Sequence, residues 1–540
     1  MRWLFSASRA AANRGSLLDL RLALMPLTDL FASLTEYLHT KVFHDLARHP
    51  ERPSAFTRQR KLTLPTLIAF MLGNLRMGVQ AELDQFFAAL ARQNILRRCV
   101  SEQAFAQARS KLSGDVFAHL NDWLLRQVSD HLPRWHGFRL VAADASHLRF
   151  AIRHSHLPRA ATRDQLAFGL YLPGAEIMLA ASLHSVHENE RQILFEHLDR
   201  LQSDDLLLLD RGYPARWLVA VLNQRKIPFC MRADGSGFAA VRHFVRSGRD
   251  EAIVTLPAPA RNDARDYECA ATPQTVRLIR QISPAGKVRV LITNLLDMHH
   301  YPAATFRDLY HQRWRLEEAF KRLKHRMALE HLSGLSQLAA RQDFGAKILC
   351  DNLHALCCLT AAQEHDIDSD HRINRTYAIT ALKPVLPAVL LGLRWARAAL
   401  NETLALIATR IHRVRPDRAK PVRLARSLIM LPIRLVDAYS NLGGLISPPG
   451  MSDGIVEELS NRYIIDALRR HKVNVRDISL IIDAAPASHE ACQVFSIPTA
   501  YPTLRRLYSL KANSPTTSVI GVVESPFDRL ACSASFEATY

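Results

Sequence analysis

The features that this 540-residue chain lacks already exclude several classes of protein. None of its 8 cysteines belongs to a C-x2-C pair, so zinc ribbons and thioredoxin-like motifs are absent. Cysteines scattered in this way are typical of a reducing compartment. The longest apolar run extends from Val385 to Leu393 and contains Pro387, so it is too short to span a bilayer. The sequence therefore predicts no integral membrane protein.

Positive charge is the property that the chain has in excess. It carries 70 Lys and Arg against 51 Asp and Glu, which gives a net charge of +19. A surplus of this size indicates a polyanionic partner, most simply nucleic acid, although a generally basic surface is an open alternative. The remaining composition, 48% hydrophobic and 22% charged, is that of an ordinary globular protein, and the length predicts several domains.

The N-terminal part divides into two sections. Residues 1–25 resemble a transit peptide in composition but lack a clean apolar core, so we expect a loose N-terminus on a cytoplasmic protein. From residue 26 to 132 the pattern predicts helices, one beginning near Pro65 in the apolar run after Thr63 and one with Ser101 at its N-cap position.

A basic segment containing Arg58, Arg60 and Lys61 precedes the helix that begins near Thr63. A helical, basic module of this kind suits a domain that binds DNA ends, so these three residues are candidate DNA contacts. The alternative is a solvated loop beside a structural helical bundle.

Beyond residue 137 the character of the sequence changes, because short apolar runs alternate with helical patterns. This alternation predicts a mixed α/β sheet. We expect the following regions: a catalytic core over 137–237 and 298–360, a β-rich insertion over 238–297, a helical segment with a basic tail over 361–428, and a tail of unknown role, fused or read through, over 429–540.

Two aspartates stand at the ends of short apolar runs. Asp144 closes FRLVAAD, and Asp210 closes LLLLD. A carboxylate at the end of a buried strand is held rigidly and can ligate a metal ion at the edge of a sheet. A turn or N-cap role is the common alternative for any single aspartate in such a place.

A third acid, Glu317, lies in a segment from Thr305 to about Leu329 that is expected to form one long helix. At 3.6 residues per turn, four side chains share a stripe roughly 60° wide. They are Tyr310, Arg313, Glu317 and Lys324. An acid flanked by an aromatic ring and two cations suits a phosphodiester, because the acid can hold a metal ion and the cations can hold phosphates. A surface helix with i,i+4 ion pairs is the alternative.

These residues resemble a known family. The helix pattern Y-x2-R-x3-E-x6-K resembles the signature of the insertion-sequence-four family of bacterial DDE transposases, and the segments around Asp144 and Asp210 resemble those around the two aspartates of that family. The spacings agree, with 66 residues from the first aspartate to the second and 107 from there to Glu317. The second gap is long because family members carry a β-rich insertion there. The resemblance covers roughly residues 30 to 425.

The resemblance implies an α/β fold with a ribonuclease-H-like catalytic core and a β-rich insertion, preceded by a helical DNA-binding domain. It implies that Asp144, Asp210 and Glu317 form a catalytic triad that holds two Mg²⁺ ions, with Mn²⁺ as a substitute. It also implies DNA contacts near the transposon end by Tyr310, Arg313 and Lys324. Such a protein cleaves transposon ends and joins them to target DNA, and it acts as a homodimer on paired ends.

Several alternatives stay open. A catalytically inactive, transposase-derived DNA-binding protein has the same signature. The G-x-G-x-x-A match from Gly235 to Ala240 leaves a nucleotide-cofactor enzyme as a third possibility. His184, His187 and Glu188 are a further candidate metal cluster. No tryptophan occurs between Trp217 and Trp314, so a residue that holds a flipped base is not assigned.

Overall fold

The computed structural model describes most of the chain up to Val414 and four short stretches beyond it. The described residues are 26–414 except 59, 153–157, 235–236, 284–285, 287 and 369, together with 482–484, 492–496, 506–511 and 518–523. The expected loose N-terminus over 1–25, the glycine that opens the G-x-G-x-x-A match and most of the basic tail and of 429–540 lie outside the described residues. Contacts divide the chain into two units, one ending at Val414 and one beginning at Arg415.

Helices form the first part of the first unit. In chain order they are α1 (Leu27–His39), α2 (Lys41–Ala47), α3 (Leu64–Met71), α4 (Val79–Leu90), α5 (Glu102–Arg109) and α6 (Val116–Val128). The hydroxyl of Thr63 accepts a hydrogen bond from the backbone N–H of Thr66, and that of Ser101 accepts one from Ala104. The predicted N-cap at Ser101 is therefore confirmed, and Thr63 caps the helix that was expected to begin near Pro65.

A mixed eight-stranded sheet follows these helices. Its strands are β1 (Arg139–Arg149), β2 (Asp164–Leu172), β3 (Ile177–His184), β4 (Asp205–Leu209), β5 (Phe229–Ala233), β6 (Glu251–Leu256), β7 (Gln274–Ile282) and β8 (Val288–Thr293). The order across the sheet is β3-β2-β1-β4-β5-β8-β7-β6. Strands β1, β4 and β5 pair in parallel, and all other neighbours are antiparallel. The predicted α/β class with a mixed sheet is confirmed.

The segment over 238–297 extends this sheet rather than forming a separate one. Its strands β6, β7 and β8 join the sheet through β8, which pairs with β5 from Cys230↔Thr293 to Ala233↔Val290. Two helices that the sequence analysis did not expect lie in the same segment: α9 (Ala239–Ser247) and α10 (Arg261–Asp266).

The remaining helices connect the strands and continue beyond the sheet. They are α7 (Glu190–His197), α8 (Arg216–Gln224), α11 (Phe306–His311), α12 (Trp314–Arg326), α13 (Gln337–Glu364), α14 (Arg375–Leu382), α15 (Leu386–Leu390) and α16 (Ala396–Ala408). A two-stranded sheet of β9 (His371–Ile373) and β10 (Ile411–Arg413) closes this part.

The N-terminal helices and the sheet share one apolar core, and α13 joins them. This helix packs against α6, α16 and β3. Within the core, Asn352 of α13 donates to Asn121 of α6 and to the carbonyl of Met178 in β3, and it accepts from the N–H of Met178. Buried amides must find such partners, so this network fixes how the helical layer meets the sheet.

The second unit contains a four-stranded antiparallel sheet within its described stretches. Its strands are β11 (Ile482–Ala484), β12 (Cys492–Ser496), β13 (Arg506–Lys511) and β14 (Ser518–Val523), paired in chain order. Within the described ranges of the whole chain, none of the helices combines the length and the hydropathy needed to cross a bilayer.

Candidate active site

Asp144 lies within β1, and a glycine on the neighbouring strand shapes its surroundings. The buried run of β1 ends at Ala143, and Asp144 is the first partly exposed residue, but the strand continues to Arg149 because these residues stay paired with β2. Gly169 of β2 is the direct cross-strand partner of Asp144. A Cβ at position 169 would lie 3.2 Å from Cζ of Phe320, closer than side chains normally pack. The missing side chain therefore lets α12 approach the sheet beside Asp144.

Asp210 follows β4, which is the parallel neighbour of β1. Ala142 of β1 pairs with Leu208 of β4. Asp144 and Asp210 each lie two residues beyond this pair, so they reach the same level of two adjacent strands. The Oδ1 atom of Asp210 accepts a hydrogen bond of 2.7 Å from the backbone N–H of Gly212. This bond holds the carboxylate in the turn after the strand.

The expected long helix around Glu317 is interrupted. Helix α11 ends at His311 and α12 begins at Trp314. The N–H of Arg313 bonds to the carbonyl of Tyr310, an i→i+3 contact that tightens the backbone between the two helices. Arg313 thus stands at the N-cap of α12, one turn before Glu317.

Arg313 connects two of the three acids. Its Nη2 donates to Oε1 of Glu317 at 2.8 Å, and its Nη1 lies 3.3 Å from Oδ2 of Asp144. The Arg313 side chain is only 6% exposed, compared with 18% for Asp144 and 28% for Glu317. Its guanidinium also lies 5.0 Å from the ring centroid of Trp314. One buried cation therefore holds Asp144 and Glu317 beside each other through charge-assisted contacts.

The carboxyl group of Asp144 shows how the charges of the site balance. Burial raises the pKa of Asp144 to about 6, and the negative charges of Asp210 and Glu317 add to this rise. Arg313 and the N–H of Ala145 act in the opposite direction and do not cancel it. The site therefore carries more negative charge than its one arginine neutralises, so a further cation would stabilise the ionised carboxylates.

The other two residues of the helix signature also contact the core rather than projecting freely. Tyr310 is buried, and burial raises the pKa of its hydroxyl well above the usual value. Lys324 is partly buried, and its Nζ donates to the backbone carbonyl of His147, three residues beyond Asp144 on β1. Burial lowers the pKa of this lysine. The structure thus brings Tyr310, Arg313 and Lys324 to the same side of α11 and α12 as the acids.

The basic residues predicted before α3 lie in a different place. Arg58, Arg60 and Lys61 are exposed. Lys61 has a weak contact of 3.5 Å from Nζ to the carbonyl of Cys99 in the loop before α5. Within the described residues, no hydrogen bond or ion pair links these three to the acids around Arg313.

The donor set of the site suits a hard divalent cation. Three carboxylates are the ligands that Mg²⁺ prefers when it keeps waters and substrate phosphate as its remaining ligands. Among the described residues, no three His, Cys, Asp or Glu side chains are close enough to hold a metal ion as they stand. The guanidinium of Arg313 lies between Asp144 and Glu317 instead. The positive charge that Asp144 and Glu317 share is therefore that of Arg313.

The sequence analysis did not single out Glu190 and Tyr213, which lie beside Asp210. The hydroxyl of Tyr213 donates to Oε2 of Glu190, the first residue of α7, at 3.4 Å. Burial raises the pKa of Glu190, and the charge of Asp210 raises it further. Arg191 donates from Nε to the carbonyl of Gly212 at 2.8 Å. The start of α7 is therefore tied to the turn that carries Asp210. The N-cap residue before Glu190 is a local signal that could have located this helix.

The candidate metal cluster of His184, His187 and Glu188 has a different arrangement. The Nδ1 atom of His184 lies 2.8 Å from Glu188, and its Nε2 lies 2.7 Å from the hydroxyl of Ser182. Both ring nitrogens therefore have protein partners. This arrangement favours a structural role at the end of β3.

Comparisons with known proteins concern the family of the chain. Residues 135–353 match the family model of the transposase DDE domain. The chain is 21% identical over 339 residues to transposase InsG for insertion sequence element IS4 from Escherichia coli strain K12, a match that covers 59% of this chain and 74% of that protein. Among solved structures, it is similar to the piggyBac transposase in a synaptic complex with hairpin DNA, with 10% identity, coverage of 78% of this chain and 87% of the other, and a TM-score of 0.34. The family model and the relative InsG support a DDE transposase domain of the insertion-sequence-four type, and Asp144, Asp210 and Glu317 lie within the matched residues.

Proposed function

We propose that this protein is a DNA transposase that binds the terminal inverted repeats of an insertion sequence and catalyses Mg²⁺-dependent strand cleavage and transfer. The family match supports transposition. One observation carries the assignment of the site: Asp144 and Asp210 lie at the same level of adjacent parallel strands, and Arg313 links Asp144 to Glu317. These contacts support a shared role for three acids that are distant in the sequence.

The strand order supports a ribonuclease-H-like core as part of this proposal. Five strands follow the order β3-β2-β1-β4-β5, and only β2 runs opposite to the others. In this arrangement the central pair, β1 and β4, supplies the two aspartates. Strands β6 to β8 would then be the insertion, attached at the outer edge of β5.

Within the site, the residues have separate proposed roles. Asp144, Asp210 and Glu317 would hold the metal ions and thereby fix where the scissile phosphate lies. Bound Mg²⁺ would supply Lewis-acid activation of the attacking oxygen and stabilisation of the leaving oxygen. Arg313 orients Asp144 and Glu317 in the free protein. The turn tied to Glu190 and Arg191 keeps Asp210 at the level of Asp144.

The proposed DNA contacts fall into two groups. Tyr310, Arg313 and Lys324 would contact the transposon end beside the acids. Arg58, Arg60 and Lys61 would bind the DNA backbone from the N-terminal helices, because exposed cations suit phosphate contacts. As part of the same proposal, two copies act on paired ends, and the protein works at the nucleoid in the bacterial cytoplasm.

A neighbouring pair of glutamates provides the decisive test. Glu317→Gln removes one proposed metal ligand, whereas Glu318→Gln changes an exposed residue in the next position of the same helix. Full-length variants are incubated with Mg²⁺ and DNA that carries the genomic sequences flanking the coding region. We expect Glu317→Gln to reduce cleavage by about 1,000-fold or more, roughly 4 kcal/mol in activation free energy, and Glu318→Gln to cleave like the wild type.

DNA binding, measured by fluorescence anisotropy, is expected to persist in both variants. Equal cleavage by Glu317→Gln and the wild type would remove Glu317 from the proposed triad. Equal losses in both variants would point to a general defect of the helix rather than to a lost ligand.

A catalytically inactive, transposase-derived DNA-binding protein is the second candidate. It is favoured by one observation, namely that the guanidinium of Arg313 occupies the space between Asp144 and Glu317. The same assay separates the two candidates. DNA binding without any metal-dependent cleavage by the wild type would establish the inactive protein.

A further inference from the structure

An exposed apolar pair lies in the loop between α4 and α5. Ile95 is 82% exposed and Leu96 is 60% exposed. Among the large hydrophobic residues of the described part of the chain, Ile95 is the most exposed. Single exposed apolar residues are ordinary in globular proteins, but two adjacent ones at a loop tip require a reason, because their contact with water is unfavourable.

Positive charge surrounds this pair. Arg92, Arg97 and Arg98 flank it in sequence and are exposed, and no Asp or Glu occurs between Ala91 and Ser101. The contact of Lys61 with the carbonyl of Cys99 brings the basic segment before α3 next to the same loop. The loop and the basic segment that contains Arg58, Arg60 and Lys61 thus form one basic surface. Its exposed apolar side chains are those of Ile95 and Leu96.

Hydrogen bonds hold both ends of the loop. On one side, the N–H of Gln93 donates to the carbonyl of Ala88 at 2.9 Å. On the other, Arg98 donates from Nε to both carboxylate oxygens of Asp84 at 2.8 and 3.0 Å, and the N–H of Arg97 donates to the carbonyl of Asp84 at 3.2 Å. The apolar tip is therefore presented from a fixed base, which reduces the entropy lost on binding.

The combination favours duplex DNA over a protein partner. Two apolar side chains form a patch much smaller than the core of a stable protein interface. Proteins that bend DNA insert single apolar side chains between base steps from the minor groove, while neighbouring arginines hold the phosphates. The tip has both elements, an apolar wedge and flanking cations.

We propose that Ile95 and Leu96 insert between adjacent base pairs of bound duplex DNA and kink it, with Arg92 and Arg97 on the flanking backbone. This inference rests on the proposed DNA-binding function. It adds a deformation of the DNA at a defined point of the N-terminal helices. The insertion favours flexible pyrimidine–purine steps, because these unstack at the smallest energetic cost.

The test uses the full-length chain and a short duplex of mixed sequence with a central TA step, in which 2-aminopurine replaces the adenine. This base fluoresces more strongly when it is unstacked. Binding is followed by anisotropy at several salt concentrations. Ile95→Ala/Leu96→Ala is compared with Val42→Ala/Leu46→Ala, which truncates another exposed apolar pair, on α2, where the side chains are 64% and 42% exposed.

The wild type is expected to increase the 2-aminopurine signal on binding. Ile95→Ala/Leu96→Ala should lose this increase and bind about tenfold more weakly with an unchanged salt slope, because no phosphate contact is removed. Arg97→Ala should lower the salt slope by about one and keep the fluorescence increase at saturation. The α2 control should match the wild type in both measurements.

The outcomes separate this inference from the proposed function. Failure of the wild type to bind any duplex overturns both. Binding without a fluorescence increase, or with an equal increase in Ile95→Ala/Leu96→Ala, overturns the wedge and leaves DNA binding intact. A change in oligomeric mass in Ile95→Ala/Leu96→Ala at wild-type DNA affinity and fluorescence also overturns the wedge, since it assigns the pair to a protein interface.

Discussion

One arginine caps the start of helix α12 and another lies near its end, and the two are surrounded by different ratios of arginines to carboxylates. Around the first, one arginine pairs with two carboxylates, and a third carboxylate lies nearby. Around the second, three arginines form ion pairs with two carboxylates. The first group, the carboxylate site, consists of Arg313, Asp144, Asp210 and Glu317. The second group, the arginine cluster, consists of Arg322, Arg372, Arg375, Glu176 and Asp351.

The two groups affect their aspartates differently. In the carboxylate site, burial and two neighbouring acids raise the pKa of Asp144 to about 6 despite Arg313. In the arginine cluster, burial would also raise the pKa of Asp351, but Arg322 and Arg375 outweigh it and hold that pKa well below its usual range. The positive charge near Asp144 therefore does not offset the effects of burial and of the neighbouring acids on its pKa, whereas the positive charge near Asp351 more than offsets the effect of burial.

This difference suits a structural role for the arginine cluster and the proposed catalytic role for the carboxylate site. The arginine cluster satisfies its own carboxylates and joins α12 to α13, α14 and the turn between β2 and β3. In the carboxylate site, burial and the neighbouring acids raise the pKa of Asp144 despite Arg313, so a further cation would stabilise its ionised form. The carboxylate site and the arginine cluster thus differ in how far their acids are neutralised, and the ratio of arginines to acids in each group accounts for this difference.

The largest effect on stability is expected from Asp351→Asn. Asp351 is 3% exposed and accepts hydrogen bonds from Arg322 at 2.8 Å and from Arg375 at 2.7 Å. Removing its charge leaves two buried guanidinium groups without their shared partner, which costs about 3–5 kcal/mol of unfolding free energy. Urea unfolding of the full-length protein at neutral pH measures this loss.

The matched control is Asp45→Asn, which breaks a pair with Lys41 on the surface, where the side chains are 46% and 89% exposed. Its urea midpoint should stay at the wild-type value, because water screens such a pair. Comparable losses in the two variants would mean that the arginine cluster is no more important to the fold than a surface contact.

A smaller effect is expected from Arg313→Gln, and it concerns metal affinity. In the free protein, Arg313 contacts Asp144 and Glu317, so in the proposed site it would compete with a metal ion for them. The variant leaves these carboxylates without their cation, so we expect Mn²⁺ to bind about tenfold more tightly in calorimetric titrations without DNA. Mn²⁺ should also raise the unfolding temperature of the variant more than that of the wild type.

Arg211→Gln is a suitable control, because Arg211 pairs with Asp234 at 3.7 Å and is 64% exposed. Its Mn²⁺ affinity should equal that of the wild type. Weaker binding by Arg313→Gln would show instead that the arginine orients the carboxylates for the metal, and the carboxylate site would then resemble the arginine cluster more closely.

Local patterns were sufficient to predict part of this arrangement. The apolar runs before Asp144 and Asp210 correspond to strands β1 and β4. Such features depend on neighbouring residues and are visible as periodicity and turn chemistry. The resemblance of the helix signature to the family is also confirmed by the comparisons.

Long-range contacts could not be predicted in this way. Arg313 lies 169 residues from Asp144, and its burial between two acids depends on how α12 packs on the sheet. The arginine cluster joins three separate helices and a hairpin turn, so no short pattern marks it. The attachment of β8 to β5 likewise depends on the free edge of the sheet rather than on the strand sequence.

The smallest effect concerns Lys347 of α13, a buried cation that has no ion pair within the described residues. It is 3% exposed, and its Nζ donates to the carbonyls of Ala328 and His331 at 2.6 Å each. Burial lowers its pKa from 10.5 to about 8, so between these values the unfolded chain binds more protons than the folded one. The unfolding free energy should therefore rise with pH in this window, by about 1 kcal/mol between pH 8 and pH 9. The difference between urea unfolding of the wild type and of Lys347→Met isolates this rise from other titrations, and parallel pH profiles would contradict it.

A measured rise would show that a buried cation without a carboxylate partner reduces the unfolding free energy until it loses its proton. In the arginine cluster, Asp351 removes this cost by pairing with the arginines.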